Sequence, residues 1–222
     1  MHALVESGSI TRYFHNPKSF ILGDIQYPAK IFSVWTASEK AAIGLYEVTF
    51  DNSNKKDEAF YINTNQSFTY DADAGTVTAA YGSATAKALA DTTWSQGDED
   101  DGNLPDDKSV GDVKTTGLKT NYKKQFNLEA ASLLAPTDWY VVKATEVSDY
   151  SVPSAVTTYR AAVRTKVNAM ETAIDNCANV EAFITLLTYV NTATKTVDGV
   201  EVEDTDNSVI QRPLGEFPDK VV

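Results

Sequence analysis

Leu133-Leu134-Ala135-Pro136-Thr137-Asp138-Trp139, followed after a short spacer by Tyr159-Arg160-Ala161-Ala162-Val163-Arg164, is the stretch on which the fold turns. Pro136 cannot continue a helix, so it ends the apolar run before it. Trp139 to Val142 is short and rich in β-branched residues, which predicts a strand. Pro153 and Ser154 open a second helix. Upstream, Leu118, Tyr122, Phe126, Ala130, Leu133 and Leu134 keep helical spacing and predict one apolar stripe. Downstream, Val156, Tyr159, Val163, Val167, Met170 and Ile174 are spaced 3, 4, 4, 3 and 4 apart, as in a helix packed along one seam. Asn179 can cap a further helix carrying Val180, Phe183, Ile184, Leu187 and Val190. Residues 114–192 therefore read as a helical hairpin module with a Thr-Asp-Trp strand.

Further toward the N-terminus the periodicity changes. Ala3-Leu4-Val5, then Ser7-Gly8, then Ile10 to Phe14 read as a β-hairpin turning at the glycine. Thr36-Ala37-Ser38-Glu39 is a capping box, and the helix it opens is stopped by Gly44. Leu45, Tyr46, Val48 and Phe50 suggest a strand. Phe60 to Ile62, Phe68 with Tyr70, and Thr76 to Tyr81 are separated by polar turns and predict meander strands with one face in water. Residues 1–96 thus form a β-rich module with one short helix. The acidic stretch Gly97 to Asp107, with its glycines and Pro105, predicts a solvated loop or linker over 97–113. After residue 192, Asp198-Gly199 marks a small hairpin, and Pro213 and Pro218 punctuate an extended tail to 222. The fold class expected is α+β.

Thirty-one acidic against nineteen basic residues give a net charge of −12. That field opposes contact with nucleic acid or an anionic membrane. No apolar run approaches the roughly 18 residues that a spanning helix needs. The opening Met1-His2-Ala3-Leu4-Val5-Glu6 puts an acid where a secretory leader needs basic residues. One cysteine, Cys177, excludes an internal disulfide framework.

Catalytic patterns are poorly represented. His2 and His15 stand outside any recognisable motif, and Cys177 has no histidine near it in sequence to act as a base. An EF-type calcium loop placed with Gly102 at its sixth position would have Gly97 first and Lys108 last, so it lacks the required acids. Paired carboxylates could serve a glycosidase, but no pair stands above the many that thirty-one acids provide. The sequence predicts no enzyme activity, no metal and no cofactor. Trp139 and Tyr159 either form an exposed aromatic anchor or fill the gap between helix and strand. Asp138 and Arg160 are placed to pair across the same junction, and Arg164, one turn on, either shares that carboxylate or points outward.

The Leu-Leu-Ala-Pro-Thr-Asp-Trp to Tyr-Arg-Ala-Ala-Val-Arg pattern resembles the C-terminal signature of bacteriophage tail assembly and tail-fibre assembly proteins. The N-terminal run from Ala3 to Tyr13, with Tyr27-Pro28 and Glu39 to Val48, resembles the leading module of small tail-fibre assembly proteins and is similar to virion proteins of marine tailed phages. Together these cover roughly half the chain. The chain departs from the pattern by continuing well past the Tyr-Arg helix. The resemblance implies a non-enzymatic protein that binds a tail fibre or other tail protein during assembly, in the host cytoplasm. It also leaves room for a permanent virion component of the tail, collar, baseplate or fibre attachment, as a homo-oligomer or symmetric assembly. A tail-associated polysaccharide hydrolase is the remote alternative. Trp139, Tyr159, Arg160 and Arg164 are the residues expected to contact the partner.

Overall fold

Ser7 and Gly8 both adopt left-handed backbone, with φ of +51° and +78°, so β1 (His2–Glu6) turns directly into β2 (Ser9–Phe14). The computed structural model describes residues 1–220. It has an α+β fold in two units, Met1–Ala86 and Lys87 onward, with strands dominating the first and helices the second.

In the first unit β3 (Phe20–Leu22) and β4 (Ile25–Tyr27) form a second hairpin, followed by α1 (Ile31–Val34) and α2 (Ala37–Ala41). The predicted capping box is present: the Glu39 amide donates to the Thr36 hydroxyl at 3.2 Å, and the Thr36 amide to the Glu39 carboxylate at 2.7 Å. Gly44, at φ +74°, turns the chain into β5 (Leu45–Asp51). Its carbonyl accepts from the Val5 amide at 2.8 Å, and any Cβ there would collide with the Val5 carbonyl oxygen. Glycine is thus required twice over, by conformation and by space.

β6 (Tyr61–Ile62) pairs with β9 (Thr85–Ala86), apart from the main sheet. β7 (Gln66–Asp71) and β8 (Thr76–Tyr81) form a hairpin in that sheet, whose order is β2-β1-β5-β8-β7. The expected meander is realised in β7 and β8, whose residues alternate between more and less covered faces, but β6 pairs outside this sheet and β8 also runs parallel to β5, with Val77 and Ala79 fully buried. The run Ala3-Leu4-Val5 has its explanation here too, since β1 is covered on both faces. Leu4 joins Phe14, Phe20, Ile31, Phe32 and Leu45 on one side. Ala3 and Val5 join Val48, Val77 and Ala79 on the other. The rings of Tyr13 on β2 and Phe68 on β7 lie 4.7 Å apart, so the sheet curls until its two edge strands meet.

The second unit begins with β10 (Thr92–Thr93) and β11 (Val113–Thr115), which pair and enclose the acidic stretch. That stretch is more ordered than a linker. Ser95 and Asp98 form a second capping box at the start of α3 (Gln96–Asp100), and the return is closed by Trp94 N–H to Asp112 O at 2.9 Å and Gly111 N–H to Trp94 O at 2.8 Å. The division between units accordingly falls at 86/87, ahead of 97–113.

α4 (Leu118–Leu134) starts against backbone: the Leu118 and Lys119 amides donate to the Ala88 and Leu89 carbonyls at 2.9 and 3.0 Å. A 3-10 turn (Ala135–Thr137) leads into α5 (Asp138–Glu146), then α6 (Ser154–Asp175) and α7 (Val180–Leu187). The strand expected at Trp139–Val142 is therefore a helix. A strand must find a partner for its amides and carbonyls, whereas here they are satisfied within α5. All six residues of the predicted α6 seam are buried, and Arg160 is buried beside them. The principal helix pair is α4 with α6, and α7 adds Val180 and Phe183 rather than forming the hairpin by itself. Phe183 meets Tyr122 edge-on at 5.1 Å. Asn179 caps α7 through the Ala182 amide, at 2.8 Å.

Two exposed ribbons follow. β12 (Val190–Asn191) pairs with β15 (Ile210–Gln211), and β13 (Thr194–Val197) pairs with β14 (Val200–Glu203) across Asp198 and Gly199, both left-handed. The tail expected from Pro213 onward folds back over the helices through Leu214, which is buried; Val221 and Val222 lie outside the described residues. Among the described residues, no helix is long and apolar enough to cross a membrane.

Candidate functional site

The site is built at the bend where Pro136 stops α4. The Thr137 hydroxyl donates to the Leu134 carbonyl at 2.7 Å, closing the turn. From α6, Arg160 reaches into the bend, with Nη1 3.0 Å from the Leu134 carbonyl, 2.6 Å from the Thr137 hydroxyl and 2.8 Å from the Asp138 carboxylate. The expected Asp138–Arg160 pair thus forms. Its arginine is buried and its aspartate exposed, so most of the arginine's compensation comes from the carbonyl and hydroxyl. Tyr159 is also buried, and its hydroxyl lies 3.4 Å from the Leu133 carbonyl.

Of the four residues singled out by sequence, Tyr159 and Arg160 lie inside this joint. Trp139 and Arg164 lie on the surface, and Arg164 stands outside the ion pair. The joint fixes the base of α5, a helix with no buried residue at all. Trp139 is 50% exposed, Val141 42% and Val142 54%. Tyr140 and Ala144 are half-buried, and the apolar remainder faces out. The indole of Trp139 lies 3.8 Å from the Tyr140 ring. The Lys143 ammonium sits 4.4 Å from the Tyr150 ring and 5.7 Å from that of Trp139, tying the helix to the loop after it. Tyr140, Val141, Val142, Lys143 and Tyr150 went unmarked in the sequence. A helical wheel over 138–146 places Trp139, Val142, Lys143 and Glu146 on one side, but only once the segment is read as a helix.

Elsewhere the titratable groups serve the fold. His2 packs edge-on against Phe32 at 5.0 Å, and burial, then the Lys40 ammonium and the N-terminal amine, hold its pKa below the usual histidine value. The Cys177 thiol lies 3.5 Å from the Ala173 carbonyl, and burial pushes its pKa up, away from the thiolate a nucleophile needs. Asp204, buried between the ribbons, accepts from the Asp206 and Asn207 amides at 3.0 and 3.2 Å and from the Asn207 side chain at 2.9 Å. Those bonds, with Lys195 beside it, depress its pKa and mark it as a turn organiser. Among the described residues, no three His, Cys, Asp or Glu side chains are grouped to hold a metal ion. In comparisons with protein-family models, curated proteins and solved structures, nothing matches this chain.

Proposed function

We propose that this protein is a non-enzymatic binding protein of a bacteriophage tail or tail fibre, which engages a tail polypeptide in the host cytoplasm and assists its assembly. The observation that carries the reading is α5: a helix with Trp139, Val141 and Val142 turned to solvent, on a base made rigid by Arg160. Trp139 and Val142, one turn apart, share one side of that helix, and neighbouring exposed apolar side chains of this kind mark contact surfaces. Tryptophan on a rigid mount is the kind of residue that dominates binding energy. Trp139 and Arg164 are the contact residues on this reading, with Tyr159 and Arg160 holding the helix that presents Trp139.

A second reading, a permanent component of the tail, collar, baseplate or fibre attachment, is favoured by the C-terminal ribbons. Val190, Val197, Val200 and Ile210 are exposed on short two-stranded pieces, which is the condition of edges that a neighbouring subunit would cover. Quantifying this polypeptide in purified virions of the source phage, against the major capsid protein, separates the two. A fixed copy number matching threefold or sixfold symmetry makes it a virion component. Abundance in infected-cell lysate with absence from virions supports the assembly role. Failure of Trp139→Ala to weaken association with every tail protein would remove the α5 surface from either reading.

A further inference from the structure

The last described stretch of chain lies on the helices. β15 delivers Arg212 to the side of α4, where its guanidinium sits 5.4 Å from the Phe126 ring and 5.2 Å from the Tyr189 ring. Arg212 pairs with Glu216 at 2.8 Å, and the Tyr189 hydroxyl donates to the same carboxylate at 2.7 Å. Between them Leu214 is buried. Its amide donates to the Leu186 carbonyl of α7 at 3.0 Å, and its carbonyl accepts from Lys166 of α6 at 2.7 Å. Gly215, at φ +70°, lies so close to Lys166 that a Cβ would strike its amine. Pro218 then rests on α6 between two shallow depressions of about 480 Å³ each. Ala161, Thr165 and Ala169 line one, Ala155 and Thr158 the other, and Ala162 lines both.

Leu214 is the single fully buried side chain in 212–220, whereas α6 buries seven. Segments held through one buried side chain and polar contacts near the surface open locally while the elements beneath them stay folded. We propose that residues 212–220 are a detachable strap: a ligand the chain supplies to its own α6–α7 surface, released as a unit without unfolding the helices. The surface it vacates is complementary to an extended segment with a cation for the Phe126 and Tyr189 rings, a leucine for the Leu186 edge, a glycine over Lys166 and a proline on Ala162. The same segment from a second copy carries that chemistry and is the occupant the surface takes in trans.

The test uses a chain ending at Gln211 and a synthetic peptide of residues 212–220. The shortened chain is expected to keep a cooperative helical melting transition and to bind the peptide one to one by titration calorimetry. Leu214→Asp in the peptide should weaken binding by at least about 10-fold, the scale of losing one buried leucine. The full chain should bind the peptide more weakly than the shortened one, because its own strap competes. Loss of cooperative melting on shortening would make the strap part of the core and overturn the proposal. Absence of binding to a folded shortened chain would do the same. So would equal binding of the wild-type and Leu214→Asp peptides, or equal affinity of the shortened and full chains.

Discussion

Arg160 separates two uses of one charge. Its ion pair with Asp138 is partly in water, where such pairs contribute about 1 kcal/mol or less. Its bonds to the Leu134 carbonyl and the Thr137 hydroxyl are internal, and removing the arginine leaves those two groups with only the bond between them and an unfilled space beside it. Asp138→Asn is therefore expected to lower stability by under about 1 kcal/mol, and Arg160→Ala by about 3 kcal/mol. Urea midpoints read the difference, and equal losses would show that the ion pair carries the joint. Trp139→Ala, on an exposed position, should lower stability by about 0.5 kcal/mol or less. His2 gives a signed pH effect. Its folded pKa lies below the ordinary 6.5, so stability is complete above that value and is lost as pH falls through the folded pKa. His2→Gln should flatten this acid-side slope in melting temperature. An unchanged slope would assign it to other groups.

Among the elements, legibility followed length and repetition. Helix α6 spans 22 residues, and its six predicted seam positions are all buried because a helix that long must keep one face on the core. Asp138–Glu146 is 9 residues with no buried face, so no apolar period was there to find, and its β-branched run suggested a strand. The acidic stretch hid a legible signal: Ser95-Gln96-Gly97-Asp98 is the same kind of capping box as Thr36 to Glu39, masked by the charge density after it. Asp98 accepts from Lys114 and from the Ser95 hydroxyl and amide, which holds its pKa well below the ordinary 3.8. The stability it contributes is present above that value and is lost as pH falls further. Asp98→Asn should raise amide exchange across 95–101 at neutral pH, and this difference from wild type should shrink in acid. Unaltered exchange would mean that α3 stands without its cap.

At the scale of the molecule, charge and cysteine content were legible at once, while the order of the sheet was not. Which strand lies beside which depends on long-range pairing such as β5 with β8, and local pattern carries little of that information. The 86/87 division was equally hidden, since no run of glycine, proline or charge marks it. Residues 1–86 contain both layers of the β core. A fragment of those residues is expected to fold alone, with dispersed amide resonances and a cooperative melt. A disordered fragment would show that the first unit depends on the second. Within it, Gly44→Ala should cost about 2 kcal/mol or more, because the substitution meets both a left-handed φ and the Val5 carbonyl.

The clamp at the base of α5 has a kinetic corollary. An aromatic side chain carried on a loop must be frozen each time it is captured, and that lost freedom returns as rapid escape. Trp139 stands on a turn already immobilised from beneath, so its capture removes little further motion. The clamp should therefore be felt in dwell time, with loosening of Arg160 shortening the life of a complex far more than it slows its formation.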